Sequence, residues 1–240
     1  VINAQNFRAI CASMRSQDQP SQDRHRVVAI DGPAASGKSS VSRELARRLG
    51  FVYVNSGAMY RAVTWHVLQR GVDPGDVAGV ARLAELARIT CVVQNDESHL
   101  SIDDVDPAEH LRDDSVNHGV AAVSRVAKVR EILVVKMRDC ARDHDLVMEG
   151  RDIGSVVFPD TPFKFYLNAS PEVRLKRRAL QGERDAIAQR DHADSSRPAS
   201  PLVVAKDADE IDTSDLGIPE VIEEIIRRLK LKGIALDSRP

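Results

Sequence analysis

Cysteine is scarce. The 240 residues hold three, Cys11, Cys91 and Cys140, an odd number at wide spacing. That supports neither a disulfide framework nor a zinc site, and it fits a reducing cytoplasm. Charge of one sign is not in excess either: 34 Lys and Arg stand against 36 Asp and Glu, for a formal net charge of −2. This argues against a chain built mainly to coat nucleic acid or an anionic membrane, so any anion site has to be local. No uninterrupted apolar run is long enough to span a bilayer, and no internal repeat is present. At 42% hydrophobic and 29% charged, the chain can bury one sizeable core and a small appended lobe.

Residues 1–25 mix a weakly apolar start with a polar Gln/Ser/Asp run and read as a mobile extension outside the fold. Beyond them, Val27 to Ser40 reads VVAIDGPAASGKSS, in which Gly32, Gly37, Lys38 and Ser39 satisfy G-x-x-x-x-G-K-[ST]. In that pattern backbone N–H groups wrap phosphate oxygens, while the lysine and the hydroxyl serve phosphate and Mg²⁺. The flanks agree: Arg26 to Ile30 suits a buried parallel strand, and Val41, Leu45, Ala46 and Leu49 follow helical spacing behind the loop.

Further along, Phe51 to Val54 is a second strand and Ala58 to Gln69 a helix, followed by a helical pattern over Val77 to Arg88. Ile89 to Gln94 and His99 to Ile102 alternate around Asn95-Asp96 and predict an inserted hairpin, with Asp103, Asp104, Asp106, Asp113 and Asp114 as a solvated rim. One long helical zone is expected from Val116 to Arg142. Leu146 to Met148 and Phe163 to Leu167 are buried-strand candidates, and Ser170-Pro171-Glu172 opens a helix whose Arg174, Lys176, Arg177 and Arg178 read as a solvated face. Asp209 to Thr213 is a weak last strand before an amphipathic helix starting at Pro219. Strands alternating with helices predict an open parallel α/β sheet with ligands at the strands' C-terminal ends.

Arg61, Arg130, Arg151, Arg190 and Arg197 fall at strand ends or in loops. Phosphoryl transfer gives such a set a purpose, because charge spreads over three oxygens and fixed cations must surround donor and acceptor. The polar segment between Arg184 and Arg197 suits a lid that excludes water. A GTPase would carry D-x-x-G and N-K-x-D motifs, and neither occurs in a sensible position.

DGPAASGKSS from Asp31, NSGAMYR from Asn55, Val129-Arg130, EGRDIGSVVFPD from Glu149, and RDHADSSR with SPL between Arg190 and Leu202 together resemble the bacterial cytidylate kinases, of the nucleoside monophosphate kinase group. Ala121 and Ala127 stand where that family usually carries serine and proline. The resemblance implies a P-loop kinase with a five-stranded parallel core sheet, an inserted nucleotide-binding lobe with a small antiparallel sheet, and a short lid. It implies one domain over residues 26–237, with a core at about 26–55, 128–180 and 203–237, the lobe at about 56–127 and the lid at about 181–202.

The reaction so implied is ATP plus CMP or dCMP giving ADP plus CDP or dCDP, with Mg²⁺, in a cytoplasmic monomer without nucleic-acid or membrane partners. Gly32, Pro33, Ala34, Ala35, Ser36, Gly37, Lys38, Ser39 and Ser40 would hold the ATP phosphates, with Ser39 near Mg²⁺. Ser56, Tyr60 and Arg61 would belong to the acceptor side, Arg61 gripping the acceptor phosphate with Arg151. Arg130 and Asp152 would read the cytosine edge, Arg190 and Asp194 would meet sugar and phosphate, and Arg197 would be a lid cation. A kinase for UMP or dTMP, or an ATP-sensing binding protein, are the alternatives.

Overall fold

The computed structural model describes residues 25–180, 194–197 and 200–234. In chain order the elements are β1 (Val27–Asp31), α1 (Lys38–Leu49), β2 (Val52–Asn55), α2 (Ser56–Gln69), α3 (Val77–Leu86), β3 (Ile89–Gln94) and β4 (Glu97–Ile102). There follow α4 (Asp114–Val123), α5 (Ala127–Cys140), β5 (Leu146–Gly150), β6 (Lys164–Asn168), α6 (Pro171–Leu180), β7 (Asp209–Asp212) and α7 (Ile218–Leu231). The predicted N-terminal extension and most of the predicted lid lie outside the described residues.

The strands form one sheet in the order β3-β4-β2-β5-β1-β6-β7. The five strands from β2 to β7 are mutually parallel. β1 is buried along its whole length, as a central parallel strand with both faces covered must be. Its alternate residues serve two cores. Val27 and Ala29 join Val54, Met148, Met59 and Leu133 on one face, whereas Val28 and Ile30 join Val147, Leu45 and Ile222 on the other. α7 seals that second face with Val221, Ile222, Ile225 and Leu229, each buried to 1% exposure or less and each contributing about 1.5–3 kcal/mol of burial free energy.

The predicted hairpin is present, turning at Asn95 and Asp96, whose φ values of 52° and 58° are those of a two-residue type I′ turn. It extends the main sheet: β4 runs parallel to β2 at Tyr53↔Glu97, and the Tyr53 N–H donates to Asp96 O at 2.8 Å. The expected single helical zone from Val116 to Arg142 is two helices, broken at Ser124–Val126. The Ser124 carbonyl accepts from Arg130 Nη1 at 3.0 Å, and Val126 is extended with ψ 116°, so the second helix restarts on a new axis. That break places Arg130 in the first turn of α5, at the C-terminal edge of the sheet.

Candidate active site

β1 runs straight into the glycine-rich loop. Gly32 has φ +151°, and a Cβ there would lie 2.0 Å from the Leu167 carbonyl oxygen of β6, so only glycine lets the chain leave the sheet here. Lys38, the first residue of α1, is buried, and its Nζ donates to Pro33 O at 2.5 Å and Ser36 Oγ at 3.3 Å. Burial, reinforced by the charge of Arg151, pulls the Lys38 ammonium down to about 7 against the opposing pull of Glu149, Asp31 and Asp194. Ser39 Oγ donates to Glu149 Oε2 at 2.9 Å, and Tyr53 donates its hydroxyl to Glu149 Oε1. With its O–H directed at Glu149, the Ser39 hydroxyl keeps both lone pairs free to face a cation.

Asp31, at the end of β1, accepts the backbone N–H groups of Ile153 at 2.9 Å and Gly154 at 2.8 Å. Its burial pushes the carboxyl up to about 6, with those two N–H groups pulling the other way. These bonds fasten the turn after β5 to the phosphate loop, and that turn carries Arg151 and Asp152. Arg151 Nε donates to Asp194 Oδ2 at 2.7 Å, and Arg197 Nη2 donates to the other oxygen of the same carboxylate. Burial works to raise Asp194, but the charges of Arg151 and Arg197 prevail and hold it below the usual carboxylate range.

Deeper in the cleft, Arg130 is fully buried and its Nη2 donates to Asp152, itself 3% exposed. Its guanidinium lies 5.2 Å from the centroid of the Tyr60 ring. The Tyr60 hydroxyl and Arg130 Nε are buried polar atoms with no hydrogen-bond partner among the described residues. Buried polar groups are normally satisfied, so these two atoms have hydrogen-bonding capacity left for a polar ligand.

A cytidylate kinase family model matches residues 28–231. The chain is 43% identical to a cytidylate kinase of Nocardia farcinica over 219 residues, 86% of this chain and 94% of that protein. It is 43% identical to one from Mycobacterium leprae over 222 residues, 88% and 98% respectively, and 40% identical to one from Streptomyces avermitilis over 218 residues, 87% and 94%. The chain belongs to the cytidylate kinase family.

Within this cytidylate kinase-family phosphotransferase, Lys38, Arg130, Arg151, Asp152, Asp194 and Arg197 sit in one electrostatic cluster, with each charge felt by others of the set. Arg61 of α2 is anchored to α4 and the segment before it, its Nη1 donating to Leu111 O at 3.1 Å and Asn117 Oδ1 at 2.6 Å. Ser56 is tied to the core, donating to Glu149 O at 2.8 Å. Ser39 and Ser40 are exposed at the start of α1. Arg190 lies outside the described residues.

One feature departs from expectation. The basic run on α6 is only partly a solvated face: Lys176 is exposed, but Arg174 and Arg178 are buried, and Arg174 Nη1 reaches Ala34 O of the phosphate loop at 3.4 Å. Arg177 donates to the Thr213 hydroxyl at 3.0 Å and to the Thr213 carbonyl at 2.6 Å, and Thr213 donates in turn to Ser36 O at 3.0 Å. α6 thus braces the loop from behind, because β6, which feeds it, lies beside β1. Tyr53, Asp31 and Thr213 were not singled out from sequence. A carboxylate ending an otherwise apolar buried strand, as Asp31 does, was the one available signal.

Proposed function

We propose that this chain transfers the terminal phosphoryl group of ATP to CMP or dCMP, giving ADP and CDP or dCDP. The observation that carries the reading is the buried Arg130–Asp152 pair against Tyr60, with Arg130 Nε and the Tyr60 hydroxyl unpartnered among the described residues, in the same charge cluster as Lys38. A guanidinium fork beside a carboxylate offers donors to the cytosine carbonyl and ring nitrogen and an acceptor to its amino group, a pattern that uracil and adenine do not match.

The chemistry calls for positioning and charge neutralisation rather than a strong base. Gly32 to Ser40 cradle the donor phosphates with Lys38 following the transferred charge, while Arg61, Arg151 and Arg197 serve the acceptor phosphate. Asp194 orients Arg151 and Arg197 rather than moving a proton. Ser39, with Glu149 acting through water, suits Mg²⁺, which seldom needs more than one or two protein ligands when phosphates complete its shell; among the described residues no cluster of three metal-ligating side chains exists that would suit another ion. Held there, Mg²⁺ would supply charge neutralisation at the donor phosphates. No helix among the described residues is long and apolar enough to cross a membrane, and we take the enzyme to act as a cytoplasmic monomer. An acceptor screen with CMP, dCMP, UMP, dTMP and AMP, read by coupled ADP formation, tests the proposal. Strong preference for the cytosine nucleotides is expected, and equal turnover of CMP, UMP and AMP overturns it.

A further inference from the structure

Cys91 and Cys140 are 49 positions apart in sequence, yet their sulfur atoms lie 3.1 Å apart in the fold. Cys91 is half-buried near the middle of β3, the outermost strand of the sheet, and Cys140 is buried in the last turn of α5. Both are free thiols. The pair is well away from the phosphoryl-transfer cleft: ten residues of helix, about 15 Å, separate Cys140 from Arg130 at the other end of α5. We propose that Cys91 and Cys140 are an oxidisable dithiol, a modification site that takes a hydroperoxide and closes to a disulfide between the acceptor-side hairpin and α5.

The two sulfurs have distinct roles. Cys140 donates its S–H to Cys91 Sγ. This bond lowers the Cys91 thiol below its ordinary value, the Lys136 ammonium adding to the effect, and the same contact together with burial raises Cys140. Cys91 is also the more accessible of the two, so it is the attacking thiolate. Its sulfur takes the terminal oxygen of the hydroperoxide: an S–O bond forms, the O–O bond breaks, and the leaving alkoxide or hydroxide departs as alcohol or water after taking a proton. Cys140 then attacks the sulfenic sulfur, forming the S–S bond. The S–O bond breaks, and hydroxide leaves as water with the Cys140 proton. Two thiols have lost two electrons to one peroxide, and nothing else is consumed. About 1 Å of approach separates the present contact from a covalent length of about 2.05 Å. The resolving thiol is already in place, so the sulfenic acid is trapped before it can oxidise further.

The test uses the full chain carrying Cys11→Ser, which removes the third cysteine from the count. Reduced protein is treated with stoichiometric hydrogen peroxide, capped with N-ethylmaleimide, and mapped by non-reducing peptide mass spectrometry. The expected result is loss of both titratable thiols and a Cys91–Cys140 linked peptide two hydrogens lighter. The melting temperature should rise by roughly 5–10 °C, because the bridge closes a long loop, and dithiothreitol should reverse every change. In Cys140→Ser, dimedone should label Cys91; in Cys91→Ser, Cys140 should stay reduced. Retention of both thiols, sulfinic acid at Cys91 beside a free Cys140, or disulfides only between molecules would each overturn the proposal.

Discussion

Replacing Arg130 by methionine separates what the buried pair does for the fold from what it does for the acceptor. The side chain has no exposure and Asp152 has 3%, so the substitution strands a carboxylate without its counter-ion and frees the Ser124 carbonyl as well. Removing one member of a buried ion pair costs about 3–5 kcal/mol. In a domain of this size each kcal/mol moves Tm by about 2–4 °C, so melting should fall by roughly 6–20 °C in scanning fluorimetry. Adding Asp152→Leu removes the stranded charge and should return most of that loss. Neither variant should select cytosine: kcat/KM for CMP should drop by about 10³-fold or more, while ATP affinity by calorimetry stays within about twofold. Arg130→Lys keeps the charge but not the fork, so it should retain much of the stability while losing most of the CMP preference. The reasoning fails if Arg130→Met melts within about 1 °C of the parent and leaves the CMP-to-UMP ratio unchanged.

Lys38→Met should reduce kcat by about 10³-fold or more with the fold intact. It should also abolish a pH dependence. With Lys38 held at about 7 in the folded chain against an ordinary 10.5, the unfolded chain binds the extra proton between those values, so parent stability should climb from pH 7 towards pH 10 and the variant's should lack that climb. Thr213→Val removes the hydroxyl that links Arg177 to the Ser36 carbonyl; ATP dissociation constants should rise about tenfold by calorimetry, with the KM for CMP unchanged. Asp194 contributes stability that is present above the ordinary aspartate value and lost as pH falls through its lower folded value. Acid melting curves of Asp194→Asn should therefore flatten below about pH 4 relative to the parent.

The phosphate loop was readable because its constraint is local: Gly32 cannot carry a side chain beside Leu167 O, and that requirement shows as a letter in the sequence. Buried parallel strands were readable for a similar reason, their two-sided burial showing as unbroken apolar runs such as Val27 to Ile30. Contacts made by distant elements left no such mark. The α6 arginines look solvated in any window of sequence, and only the adjacency of β6 to β1 turns Arg174 toward Ala34. The break between α4 and α5 depends on a guanidinium six residues beyond Ser124 capturing its carbonyl, and apolar periodicity cannot register that. Cys91 and Cys140 seemed unrelated because β3 lies at the far edge of the sheet, where α5 alone brings the second thiol.

Tyr53 ties three parts of the molecule together. Its backbone holds the hairpin at Asp96, its ring lies under Arg43, which grips Glu97 of the same hairpin at 2.7 Å, and its hydroxyl rests on the Glu149 carboxylate that receives Ser39. The hairpin is thereby joined to the strand end that carries Glu149, and it cannot slide without tugging the carboxylate that receives Ser39. Strain applied to the hairpin therefore reaches Ser39 through one side chain and two hydrogen bonds, from the Tyr53 hydroxyl to Glu149 and from Glu149 to Ser39.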